Sequence, residues 1–191
     1  MQFHHGIQPV EIVGVDNDAD GDGVANELLE GELSAMHIFQ VALERPRTEN
    51  QGQQQAGAAV FDDIGCASCH VPKMVTNSRF LTLSLPEVME DPTANVYFQL
   101  NLRRKAPGFK KSGSGVEVPL YADLKLHDMG ADLTEETGNS LFTTARLWGV
   151  SDSAPYLHDG RALTLTEAIS QHGGEAQASA DAFDALSEAD R

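Results

Sequence analysis

The chain has 191 residues, 41% hydrophobic and only 6% aromatic, which suits one domain with a modest core and much loop. Its formal charge of −16 argues against a nucleic-acid partner, whose phosphates it would repel. No stretch approaches the roughly eighteen consecutive apolar residues that a membrane-spanning helix needs.

The first residues, MQFHHG, carry neither the charged n-region nor the apolar h-region of an export signal. His4 and His5 are metal ligands by type, but a short His pair at a terminus is usually unliganded. The alternation Val10-Glu11-Ile12-Val13 predicts a short extended segment.

Next comes Asp16-Asn17-Asp18-Ala19-Asp20-Gly21-Asp22-Gly23-Val24-Ala25-Asn26-Glu27, an EF-hand-like calcium loop. Calcium takes six to eight oxygens, and carboxylates at alternate positions around glycine turns supply them. In the preferred register Asp16, Asp18, Asp20 and the carbonyl of Asp22 are ligands, Gly21 makes the turn and Glu27 closes the site. A second register begins at Asp18 and turns at Gly23, but it leaves Leu29 at the closing position. Without a cation, four aspartates spaced by two would repel one another. Residues 1–26 form an N-terminal segment on this reading, and 27–191 the main domain.

Residues 27–44 place Leu28, Leu33, Met36, Ile38, Phe39, Val41 and Leu43 at helical spacing, and Pro46 stops the helix. Met36 and His37 are iron ligands by type, but on an apolar helix face packing is the commoner role. A polar connector, 48–57, leads into a helix from Ala58 to Ile64 that delivers Cys66-Ala67-Ser68-Cys69-His70.

C-x-x-C-H reads as a covalent haem attachment site. The two thiols add to the haem vinyl groups, and the adjacent histidine reaches the iron. These are the only cysteines in the chain. A zinc site would need two further ligands at short spacing, and a thioredoxin-type pair would need a preceding strand. A haem attached in this way implies a periplasmic or otherwise extracytoplasmic protein.

Residues 71–118 are loop-rich, with a strand expected over 97–102. Arg103-Arg104-Lys105 and Lys110-Lys111 form a basic island, a docking patch or simply a solvated face. Further on, His127 and Met129 are both possible second iron ligands, and position alone does not choose between them. Thr164 and Glu167 form a capping box for a helix over 165–172, ended by Gly173-Gly174. Ser187-Glu188-Ala189-Asp190 begins another such box with no helix after it, which suggests that a closing C-terminal helix is missing.

The stretches DNDADGDGVANEL, GCASCHVP, VPLYADLKLHDMG, TARLWGV, PYLHDGRALTLTEAI and HGGEA together resemble the C-terminal haem domain of the di-haem cytochrome c peroxidase-like oxidoreductases, in the branch called thiol oxidoreductases. The resemblance implies a mainly α-helical, cytochrome c-like domain with long loops. It implies one covalent haem c on Cys66 and Cys69, with His70 and Met129 as the iron ligands, and a structural calcium ion. Arg146 or Arg161 would pair with a haem propionate, Trp148 would pack on the ring, and Tyr156 and His158 would line its edge. Family members carry two C-x-x-C-H motifs and this chain carries one, so a second haem domain upstream and a redox partner protein are expected. A His/Met iron has no open position, so this part should move electrons. The alternative is a peroxidase or thiol oxidoreductase acting at an open iron; the plainest reading is a haem-free calcium-binding module.

Overall fold

The computed structural model describes residues 6–45, 51–84, 96–104 and 108–191. His4, His5, Pro46 and Lys105 lie outside them. The chain divides into two compact units, one comprising residues 1–45 with 76–116, the other 46–75 with 117–191.

The expected mainly α architecture is not found: the chain is 31% helix and 18% strand, with several antiparallel sheets. The strands arise where the sequence promised mostly loop. Phe80-Leu81-Thr82-Leu83-Ser84 and Val96-Tyr97-Phe98-Gln99-Leu100-Asn101 are rich in aromatic, β-branched and leucine side chains. Such side chains fit a pleated surface.

In the first unit, helix α1 (Val10–Val13) takes the place of the expected extended segment, because its amides close onto the Pro9 and Val10 carbonyls. Helix α2 (Glu32–Ala42) has no cap of its own from Gly31. The Glu11 carboxylate supplies one from afar, accepting from the Leu33 amide at 3.0 Å, the Ser34 amide at 3.3 Å and the Ser34 hydroxyl at 2.5 Å. An acid at a helix N-terminus also suits the helix dipole. Strand β2 (Phe80–Ser84) pairs antiparallel with β3 (Val96–Asn101), Phe80 opposite Asn101. The His37 Nδ1 lies 2.6 Å from the Tyr97 hydroxyl and ties α2 to β3.

In the second unit, helix α3 (Gln51–Asp63) starts at Gln51 rather than Ala58. Strand β1 (Met74–Val75) pairs antiparallel with residues 117–118, Met74 opposite Val118. Strand β4 (Lys110–Ser112) belongs to the first unit, where β5 (Gly115–Val118) also begins; β6 (Leu126–Asp128), in the second, pairs with β7 (Leu141–Thr143). Helices α4 (Leu165–Ser170) and α5 (Gln177–Asp184) pack together near the C-terminus. The capping box at Thr164 and Glu167 is present. The buried apolar side chains of this unit are Ala122, Leu133, Ala162, Ala168, Ala180 and Phe183, most of them small. Leu124, Leu126, Leu141, Leu163 and Leu165 are exposed.

A Cβ added at Gly115 would lie 1.6 Å from the Thr76 carbonyl oxygen, a backbone atom that cannot step aside. Gly115→Ala should therefore destabilise the protein by about 3 kcal/mol or more, read from the denaturant midpoint. Gly113→Ala, where a Cβ meets nothing within 4 Å and only the positive φ opposes it, should cost about 1 kcal/mol.

Candidate functional site

The second unit holds Cys66, Cys69 and His70. Helix α3 gives way at Gly65 (φ +87°), where a side chain would meet Ser179 Oγ at 3.0 Å, and a 3-10 turn, Cys66–Ser68, follows. In such a turn positions three apart eclipse, so the turn favours presenting both sulphurs to one side. Both cysteines are free and partly buried. Burial pushes the Cys66 thiol up.

His70 follows at once, its amide bonded to the Cys66 carbonyl at 3.0 Å. Its Nδ1 lies 3.0 Å from the Tyr121 carbonyl oxygen. A carbonyl only accepts, so Nδ1 carries the proton and Nε2 keeps its lone pair for a metal. Tyr121 holds that carbonyl in place from a left-handed conformation, φ +54°, which costs a non-glycine residue on the order of 1 kcal/mol. Phe61 packs edge-on to the Tyr121 ring at 6.0 Å and lies 6.3 Å from the His70 ring. Burial holds His70 below the ordinary histidine value, although the Tyr121 and Ala145 carbonyls favour its protonated form. A neutral imidazole is the ligating form.

Sequence reasoning missed His172, taken only as the last residue of a capped helix. Its ring centre lies 6.5 Å from that of His70, with 47° between the planes. Its Nδ1 lies 2.7 Å from the Ala168 carbonyl oxygen, one helical turn back. The signal was a histidine at the very end of a helix, just before Gly173-Gly174.

The two ligands weighed for the far side of the iron lie on and just after β6. His127 is spent elsewhere: its Nε2 is 2.9 Å from Asp123 Oδ2 and its Nδ1 2.9 Å from Glu175 Oε2. Both nitrogens then donate, which makes the ring an imidazolium with no lone pair for iron. The Glu175 bond, then the Asp123 bond, raises its pKa against the effect of burial. Burial alone would raise Asp123, but donation from Thr144, Lys125 and His127 holds it well below the carboxylate range. This clamp stands beside the thiol of Cys69, 3.9 Å from its sulphur. Because the folded value of His127 is raised, its contribution to stability is complete below pH of about 6.5. It is lost as pH rises through the folded value. NMR titration should find His127 still protonated above that pH, and His127→Gln should flatten this part of the stability profile.

Met129 donates its amide to the Ser140 carbonyl at 3.1 Å. The main chain around it meets the main chain after His172 with no room between them. A Cβ at Gly173 would lie 2.8 Å from the Met129 carbonyl oxygen, and one at Gly174 (φ +53°) 2.3 Å from that of Asp128. Gly174→Ala should cost about 3 kcal/mol or more. It should also disturb the His127 resonance in the NMR spectrum, because Glu175 is carried by the same turn.

Arg146 is exposed and makes no ion pair among the described residues, so its fork is available to a carboxylate. Arg161 is engaged: its Nε lies 2.5 Å from Asp159 Oδ2 and its Nη1 2.6 Å from the Asp132 carbonyl oxygen. Trp148 donates Nε1–H to the Pro119 carbonyl at 2.5 Å, close to Tyr121 in the chain. The Tyr156 hydroxyl donates to the Val150 carbonyl at 2.7 Å. The His158 ring stacks on Phe142 at 4.6 Å.

The acidic loop belongs to the first unit. Carboxylate oxygens of Asp18, Asp20 and Asp22 lie within 4.8 Å of one another. Asp16 and Asn26 instead bond each other reciprocally at 2.8 Å, and Glu27 accepts from the Gln8 amide at 2.7 Å. The Gly23 amide, with that of Gly21, lowers the Asp18 pKa and favours its charged form despite some desolvation. Also in this unit, Arg79, Arg103 and Lys111 line a cleft of about 290 Å³ with residues 113–115.

Residues 110–191 match the family described as "di-haem oxidoreductase, putative peroxidase". That stretch, less than half of the chain, is what is similar to the family. No curated protein and no solved structure matches the chain. The matched stretch contains His127, Met129, Arg146, Trp148 and His172; Cys66, Cys69 and His70 lie upstream of it.

Proposed function

We propose that this chain is a c-type haem domain of a di-haem, peroxidase-like oxidoreductase, and that it transfers electrons. The observation that carries this is the contact between His70 Nδ1 and a main-chain carbonyl. Right after two free thiols one turn apart, its Nδ1 is tied to the Tyr121 carbonyl, which leaves Nε2 to bind iron. Small buried side chains and a set of exposed leucines in the same unit suit an apolar macrocycle that would cover them. Haem bound there supplies one-electron redox chemistry at its iron.

On this reading Cys66 and Cys69 form the thioethers and His70 is the proximal ligand. Arg146 neutralises a propionate and Trp148 braces the turn that carries Tyr121. A group from the chain closes the far side of the iron; Met129 is the ligand implied by the resemblance, and the geometry supports another residue, argued below. With one C-x-x-C-H motif the chain accounts for one of the family's two haems. The second belongs to another domain, and a redox partner protein exchanges electrons with the pair. On this reading covalent attachment implies a periplasmic or otherwise extracytoplasmic protein. The Asp18, Asp20 and Asp22 cluster holds a calcium ion, in the register that begins at Asp18.

Export of the chain alongside haem-attachment machinery should give one covalent haem per chain, by intact mass and pyridine haemochrome. The Cys66→Ser, Cys69→Ser double variant should lose it. A wild-type protein with no covalent haem overturns the reading, and peroxide turnover by the isolated chain overturns its electron-transfer part. Calcium at a hundred times its dissociation constant should stabilise the protein by about 2.7 kcal/mol. Asp18→Asn combined with Asp20→Asn should remove that gain.

A further inference from the structure

We infer that His172 is the second axial ligand of the iron, so that the haem is held between two imidazoles. This rests on the haem reading above and goes beyond it. Two imidazoles that share one metal through nitrogen bonds of about 2 Å stand with ring centres roughly 6 to 6.5 Å apart. The His70 and His172 ring centres are 6.5 Å apart.

The protonation of the two rings agrees with this spacing. Each Nδ1 donates to a main-chain carbonyl, of Tyr121 for His70 and of Ala168 for His172. Each Nε2 therefore carries a lone pair. A backbone or carboxylate acceptor on the far nitrogen is the usual support of a metal-bound histidine. Here both rings have one.

The position of His172 is fixed from both ends of α4. The Thr164–Glu167 capping box fixes where the helix begins. After the histidine, the main chain of residues 173–174 lies against that of 128–130 with no space for a Cβ. His127 does not compete, since Asp123 and Glu175 occupy both its nitrogens. Met129 is the competitor, because its main chain forms part of the same contact.

The two ligand sets differ in consequence. A thioether opposite imidazole raises the reduction potential of the iron. A second imidazole forgoes that rise and equally leaves no open position for peroxide. The site is then a closed, lower-potential electron relay.

The test is the absorption and EPR spectrum of the ferric protein, after pyridine haemochrome has established covalent haem. A low-spin iron without the weak red band of thioether ligation is expected, with Met129→Leu leaving spectrum and potential unchanged. His172→Ala should turn the iron high-spin and open it to cyanide, and added imidazole should return it to low spin. His172→Met should raise the potential. If His172→Ala fails to fold, histidine-nitrogen couplings in pulsed EPR of the wild type count the imidazoles directly, and a single one overturns the assignment. A red band lost in Met129→Leu also overturns it while leaving the haem reading intact, as does a high-spin wild type. Absence of covalent haem overturns both.

Discussion

The hydrogen bond from His70 to the Tyr121 carbonyl is the constraint on which the functional reading turns. It joins the turn after α3 to a segment some fifty residues later. It also fixes which nitrogen of the ring is free. The acceptor is a strained residue whose left-handed conformation is held by its surroundings. Phe61 packs on the Tyr121 ring, and Trp148 anchors Pro119 just before it. Strain of this kind persists where neighbouring structure over-determines it. The unit spends conformational energy to aim one carbonyl.

Around that bond, main-chain contacts and charge do what a large core does elsewhere. Gly130, Gly173 and Gly174 let two backbone segments touch, and the Asp123–His127–Glu175 clamp crosses the same junction. The buried apolar side chains are mostly alanines, while several leucines face outward. A unit built in this way buries little apolar side chain of its own, so on the haem reading its stability should depend on the bound group.

The short signals were legible in the sequence. C-x-x-C-H, the Thr164 capping box and the strand near Tyr97 each rest on local chemistry within a few residues. The balance of helix and strand was not legible, because β2 and β3 pair across an intervening segment and depend on long-range register. The Val10–Val13 alternation misled because four residues fit one helical turn as readily as a strand. The acidic loop contained two registers. Asp16 bonds Asn26, while the carboxylates of Asp18, Asp20 and Asp22 gather together. His127 was a ligand by residue type, and only its two carboxylate partners, one of them 48 residues away, reveal that it has no lone pair to offer. His172 escaped notice for the converse reason, since its partner ring is far off in the chain.

The remote cap on α2 has a consequence for how the first unit comes apart. Gln8 bonds both Ala19 and Glu27, and so ties the acidic loop at two points to the segment that carries Glu11. Glu11 in turn supplies the acceptors for the first turn of α2. Loop, segment and helix therefore form one chain of dependence: loosening the loop frees the cap and frays the helix. These three pieces should then open as a single cooperative unit, and a cation gripping the loop would be felt as slower opening along the whole of α2.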